Sequence, residues 1–152
     1  MTDVYEHILV PTDGSDPAAA ALGHALGLAT QNDAILHALF VIDTDKSWLT
    51  VSRTEVDDAI RDIGQETSEQ VLGEVEAAAA DAGAELVTEV LEGTPDERIL
   101  TSAADDDADL IVMGTHGHSG LQRRLLGSVT ERVIRGADVP VMAVSVADED
   151  TA

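Results

Sequence analysis

The sequence predicts an α/β domain built on a parallel sheet with helices on both faces, and three observations predict it. Along 152 residues, five strand-like apolar runs alternate with four helical ones, the pattern of successive βαβ units. The runs Ile8-Leu9-Val10 and Leu110-Ile111-Val112-Met113 are continuously apolar rather than alternating, as in central strands covered on both sides; they are expected to be sheet-centre neighbours. No Pro/Gly/Ser-rich linker divides the chain, which suits one domain over residues 1–147 followed by an acidic tail over 148–152.

The first strand is read over Tyr5–Val10 and runs into Pro11-Thr12-Asp13-Gly14-Ser15. Ser15-Asp16-Pro17 then offers a cap and a proline for the opening turn of a helix whose buried face is Ala18, Ala21, Leu22, Ala25, Leu26 and Ala29. Small residues there predict close packing on the sheet. The second strand spans Ala34–Ile42, with His37 inside it as a hydrogen-bonded core residue. A long helix follows from about Thr54 to Ala82, its apolar stripe read as Val56, Ile60, Ile63, Val71, Val75, Ala78 and Ala82, and Gly83 ends it. The third strand is Glu85–Leu91. Thr94-Pro95-Asp96-Glu97 is a capping box with proline in the first helical position, introducing Ile99, Leu100 and Ala103. The fourth strand is Leu110–Met113 and the fifth Val139–Val146. Between Asp43 and Arg53 periodicity is lost around the only tryptophan, Trp48, read as a packing or lid residue of a loop.

After the fourth strand comes the most informative spacing in the chain: Gly114-x-x-Gly117, nine residues, then Gly127-Ser128. Val129, Val133 and Ile134 follow at helical spacing, so the glycine loop joins a buried strand to a helix N-terminus. Glycines let the backbone approach an anion, and a helix N-terminus adds unpaired N–H groups and a favourable dipole. Phosphate is the guest this arrangement suits. The same glycines would also serve a plain surface loop, and Ser128-x-x-Glu131 reads equally as a capping box, with Glu131 competing for the same N–H groups unless it turns outward.

Composition narrows the partners. The formal net charge is −22, from 30 carboxylates against eight lysines and arginines, yet 44% of residues are hydrophobic, which argues against disorder. Such a surface resembles that of a salt-adapted cytoplasmic protein, and it repels nucleic acid and anionic membrane unless salt screens it. The exception is local: Arg123, Arg124, Arg132 and Arg135 cluster around the glycine loop with Glu131 as the one acid. Arg132 and Arg135 are expected to pair with acids of neighbouring helices, leaving Arg123 and Arg124 for phosphate. Without cysteine there is no disulfide, thiolate nucleophile or Cys-based metal site. No apolar run approaches the roughly 20 residues of a membrane span, and neither end carries a secretory pattern.

In an open parallel sheet ligands bind outside the carboxyl ends of the strands, where adjacent connections leave to opposite faces. If the first and fourth strands are neighbours, Asp13 faces Gly114 across that crevice. Its carboxylate suits a ribose hydroxyl or a phosphate-bound Mg²⁺ through water; the bland alternative is an Asx-turn. His116 and His118 flank Gly117 and could donate to phosphate, but without carboxylates nearby they make a poor metal site. His7 and His24 are read as isolated. No Ser/His/Asp or paired-carboxylate constellation emerges, so no catalytic residue is assigned.

These residues resemble a family: Ile8-Leu9-Val10-Pro11-Thr12-Asp13-Gly14-Ser15, Gly93-Thr94-Pro95, Asp109-Leu110-Ile111-Val112-Met113-Gly114-Thr115-His116-Gly117, and the G-x-x-G-x₉-G-[S/T] spacing together look like the universal stress proteins of the ATP-binding type. The resemblance covers nearly the whole chain. It implies a sheet ordered 3-2-1-4-5, as in the adenine nucleotide alpha hydrolase-like fold, and ATP with Mg²⁺ as ligand. It places adenine and ribose near Asp13 and the backbone of Val41, and phosphates on Gly117, Gly127, Ser128, Val129 and Thr130. With their neighbours, the expected nucleotide-binding set is Pro11, Thr12, Asp13, Val41, Met113, Gly114, His116, Gly117, Arg124, Gly127, Ser128, Val129 and Thr130. The resemblance also implies a homodimer joined through the last strand, and independently the sparsely charged run 139–146 would be a pairing hazard unless covered.

Neighbouring nucleotide chemistries fit less well. His116-Gly117-His118 does not reproduce the H-x-G-H of nucleotidylyltransferases, Pro11 to Ser15 lack the S-G-G-x-D-[S/T] of ATP pyrophosphatases, and there is no G-x-x-x-x-G-K-[S/T]. Three functions stay open: a nucleotide-responsive stress module, a slow ATPase or autophosphorylating enzyme using a loop hydroxyl such as Ser119, and a ligand-free scaffold.

Overall fold

A computed structural model describes residues 5–44, 53–116 and 126–146, without side chains over 53–61. The chain runs β1 (His7–Pro11), α1 (Asp16–Asn32), β2 (Ile35–Asp43), α2 (Arg53–Ala82), β3 (Glu85–Gly93), α3 (Pro95–Asp105), β4 (Leu110–Gly114), α4 (Ser128–Gly136) and β5 (Val141–Val144). All pairings are parallel, in the order β3-β2-β1-β4-β5. The order expected from the resemblance is therefore the order found, with the two continuously apolar strands side by side at the centre.

Alternate residues of each strand supply the two cores. Ile8, Val10, Leu36, Leu110 and Val112 pack against the alanines of α1, and Ala38, Phe40 and Ile42 against Val71, Leu72 and Val75 of α2. On the other face, Leu9, Leu39, Ile111 and Met113 meet Ile99 and Ala103 of α3 and Val133 of α4. Helix α1 starts as its sequence predicts: Ser15 is the N-cap and its hydroxyl accepts from the Ala18 N–H at 3.3 Å, with Pro17 in the first turn. Such a cap stabilises by about 1 kcal/mol.

Two local expectations need correction. Ile63, read into the α2 stripe, is 66% exposed, and Ala82 is exposed as well. The buried positions are Ser68, Val71, Leu72, Val75 and Ala79. Extending that stripe by one further turn reaches Gly64, not Ile63, because neighbouring residues stand about 100° apart around a helix. A β-carbon on Gly64 would lie 2.6 Å from a methyl of Ile42, so the missing side chain is what lets α2 lie against β2. The second correction concerns Thr94. It is the N-cap of α3, but its side chain makes no capping bond. Instead Arg98 reaches back across Gly93, its Nε donating to the Glu92 carbonyl at 2.9 Å, and the Arg98 N–H bonds the Thr94 carbonyl.

Candidate functional site

Between β1 and β4 the order of strands reverses, and the connections leave to opposite faces: α1 to one, α4 to the other. The carboxyl ends of those strands open a shallow crevice, the place where open parallel sheets take their ligands. Its walls include Pro11, Thr12, Asp13, Val41, Met113, Gly114, His116, Val129 and Thr130, all expected from sequence. Ser15, Ala18, Leu39, Pro95 and Ile99 also line it and were not expected. The starts of α1 and α3 lie at the same sheet edge as Asp13, which turns Ser15, Ala18, Pro95 and Ile99 to the opening, and Leu39 shares the face of β2 that carries Val41.

The β1 loop is tied by its own side chains. The Gly14 N–H donates to the Thr12 hydroxyl at 3.3 Å, and the Ser15 N–H to Asp13 Oδ1 at 2.9 Å. Asp13 thus forms the Asx-turn of the bland reading while standing in the crevice wall; the two roles coexist. Gly14 has φ +81°, and a β-carbon there would meet Val71 at 2.7 Å, so the turn needs glycine on both counts.

Across the crevice, Gly127 is the N-cap of α4, placing Ser128 inside the first turn rather than at the cap. The capping box is therefore not formed, and Glu131 points away, pairing with Arg135 one turn on at 2.7 Å. Arg135 thus bonds within its own helix, whereas Arg132 approaches Asp96 of α3 at 3.7 Å as expected. The first bond of the helix runs from the Glu131 N–H to the Gly127 carbonyl, so the N–H groups of Ser128, Val129 and Thr130 precede the intrahelical ladder. The Gly127 N–H itself donates to the Thr115 carbonyl at 2.7 Å. Gly127 seats the helix start, and the next three residues present the donors. Gly117 and Arg124, together with His118, Arg123, Ser119 and Trp48, lie outside the described residues.

One buried bond locks the two halves of this wall. Thr130, 2% exposed, donates from Oγ1 to the Gly114 carbonyl at 2.8 Å. Thr130→Val keeps the shape and removes the donor, leaving a buried carbonyl short of its partner. We expect a loss of about 1–3 kcal/mol in urea unfolding, largely restored by Thr130→Ser.

The chain matches a family model described as the universal stress protein family over residues 4–145. It is 40% identical to universal stress protein MJ0531 of Methanocaldococcus jannaschii, across 93% of this chain and 83% of that protein. Universal stress protein UspA from Lactobacillus plantarum superposes with a TM-score of 0.84 at 32% identity, covering 92% of this chain and 97% of the other. A universal stress protein crystallised in complex with cAMP superposes at 0.73 with 28% identity, over 94% and 99% of the two chains. Motif spacing, strand order and these likenesses agree: the chain belongs to the universal stress protein family.

Proposed function

We propose that the crevice binds an adenine nucleotide, ATP with Mg²⁺, and that the protein is a nucleotide-responsive regulatory module. One observation carries this reading: the first turn of α4 faces the crevice with Glu131 turned to Arg135, so among the described residues neither a capping side chain nor a carboxylate occupies the N–H groups an anion would use. The cAMP complex of a relative at 28% identity supports the ligand class. Pro11, Thr12, Asp13, Val41, Met113, Gly114 and His116 would enclose base and ribose, while Ser128, Val129 and Thr130, with Gly117 and Arg124 of the glycine loop, would hold phosphates that Mg²⁺ partly neutralises. Calorimetric titration of ATP, with and without Mg²⁺, into protein stripped of nucleotide tests it, and absence of saturable heat would overturn it. Label from [γ-³²P]ATP appearing as free phosphate or on the protein, above a Gly127→Val control, would instead favour the phosphotransfer reading.

We further infer that the protein is a cytoplasmic homodimer through residues 139–146. At that edge Met142 is 37% and Val146 40% exposed, and an apolar edge strand is stabilised by a covering partner. Sedimentation equilibrium is expected to give a dimer mass. Among the described residues no helix is long and apolar enough to cross a membrane. The net charge of −22 fits work at high salt, where screening shortens the reach of self-repulsion to about 3 Å at 1 M. The melting temperature is therefore expected to rise steadily with KCl up to molar concentrations, and a flat profile would remove the salt-adapted reading.

A further inference from the structure

On the α3 face of the sheet, away from the crevice, β2, β3 and the end of α3 bring four polar side chains together. His37 and Ser102 are each 4% exposed. His37 Nδ1 lies 3.0 Å from Asp106 Oδ2, and Nε2 lies 3.0 Å from Glu89 Oε1. The Ser102 hydroxyl stands 3.3 Å from the same Glu89 oxygen and 3.1 Å from the same Asp106 oxygen. His37 is thus the hydrogen-bonded core residue expected, but its partners come from 52 and 69 residues further along the chain and had no local signature.

Counting protons exposes a deficit. Four short contacts link these groups. The hydroxyl supplies one proton and a neutral imidazole one more. Two carboxylates therefore press on a buried node with two of their contacts unfilled. His37 Nε2 stands 3.0 Å from Glu89 Oε1 and yet is left without a hydrogen bond. His7, read from sequence as isolated, adds to the problem. Its ring centre is 5.6 Å from that of His37, and its Nε2 is likewise buried and without a hydrogen-bond partner.

We propose that this cluster is a divalent transition-metal site of the zinc class. His37, Glu89 and Asp106 each hold a ligating atom within 4.8 Å of the others. Two ligands about 2.0–2.1 Å from a tetrahedral zinc ion stand about 3.3 Å apart, each off the other's lone-pair axis, and two imidazoles on one ion have ring centres about 5 Å apart. The pairs Nε2–Oε1 at 3.0 Å and His7–His37 at 5.6 Å lie close to those spacings. In this assignment His37 Nε2 and Glu89 bind the ion, His7 stands next in reach, and Asp106 accepts from Nδ1–H, fixing the tautomer that leaves Nε2 as the ligand. An ion would supply positive charge at the Nε2 lone pair, facing the Glu89 carboxylate. The carboxylate side chains are 37% and 35% exposed, which gives the ion a path from solvent. The site does not depend on the nucleotide reading.

Titration of the full chain with Co²⁺ alone in molar KCl tests it. We expect a single saturable site with a visible d–d band, bleached by Zn²⁺, and a melting temperature raised by Zn²⁺. Both effects should vanish in His37→Asn and in Glu89→Gln, the latter chosen because its partly exposed carboxyl can be neutralised without opening the core. Asp106→Asn should weaken binding about 10- to 100-fold while keeping the band. No band in the wild-type protein overturns the proposal. So does a band that survives Glu89→Gln, which would be adventitious binding by surface carboxylates or other histidines.

Discussion

Gly114→Val is expected to destabilise the fold by more than any other single change in the crevice wall. A β-carbon at Gly114 would lie 2.7 Å from Pro17 Cβ, 2.9 Å from the Pro17 carbonyl carbon and 3.1 Å from the Ala18 N. Two of those three atoms are backbone, in the first turn of a helix pinned by the Ser15 cap, so they cannot swing aside as a flexible side chain would. Overpacking commonly costs about 1–3 kcal/mol, and we expect Gly114→Ala near the top of that range and valine beyond it. Against a total stability of about 5–15 kcal/mol, valine would leave a substantial unfolded fraction. Gly73→Ala is the opposite control. Nothing lies within 4 Å of its β-carbon, it sits mid-helix, and alanine should stabilise by about 0.5–1 kcal/mol. Urea midpoints for both variants check the pair, and a neutral Gly114→Ala would remove the argument. The consequence reaches the site: the glycine read from sequence as part of a phosphate cradle works as the spacer between β4 and α1, and thereby sets how closely the crevice walls approach.

That packing role, added to its place in the crevice wall, shows which layer of the structure sequence reasoning reached. Apolar runs announced the central strands because a strand buried on both faces cannot alternate, and Ser15-Asp16-Pro17 announced α1 because capping chemistry is local. The crevice was legible for the same reason, since strand ends and glycine loops are contiguous in the chain. What failed were choices made by tertiary contact. The phase of α2 was decided by Gly64 against Ile42, 22 residues away, and a stripe of small and apolar residues is compatible with more than one rotation. Ser128 looked like a cap, but the Gly127–Thr115 bond pulls the helix start back by one residue. The His37 cluster joins β2, β3 and the end of α3, and only the three-dimensional register that opposes His37 with Val87, two residues before Glu89, makes it visible.

Gly127→Val is expected to abolish measurable ATP binding while leaving the domain folded. The Gly127 backbone sits at φ −67° and ψ 158°, an extended conformation open to any residue, so valine loses nothing through strain. Its β-carbon, however, would stand 3.1 Å from His116 Cα and 3.3 Å from His116 Cβ, with the Thr115 carbonyl at 3.5 Å, and the two γ-carbons need further room. The short bond from the Gly127 N–H to Thr115 would stretch, and the start of α4 would move off the β4 end, taking the N–H groups of Ser128, Val129 and Thr130 with it. Hydrogen bonds to a charged phosphate contribute about 1.5–3 kcal/mol each. Losing two of them lowers affinity roughly 10²- to 10⁴-fold. A second variant adds charge to the same displacement. Gly127→Asp sets the same β-carbon against His116, but its carboxylate can cap α4 and suits its dipole, so it should unfold less readily than Gly127→Val and yet bind ATP no better, the carboxylate taking the donors meant for phosphate and repelling what remains. Calorimetry on both variants beside urea unfolding reads the two effects apart. If Gly127→Asp binds ATP as the wild-type protein does, the phosphates do not sit at α4, because no anion shares the first turn of a helix with a capping carboxylate without loss.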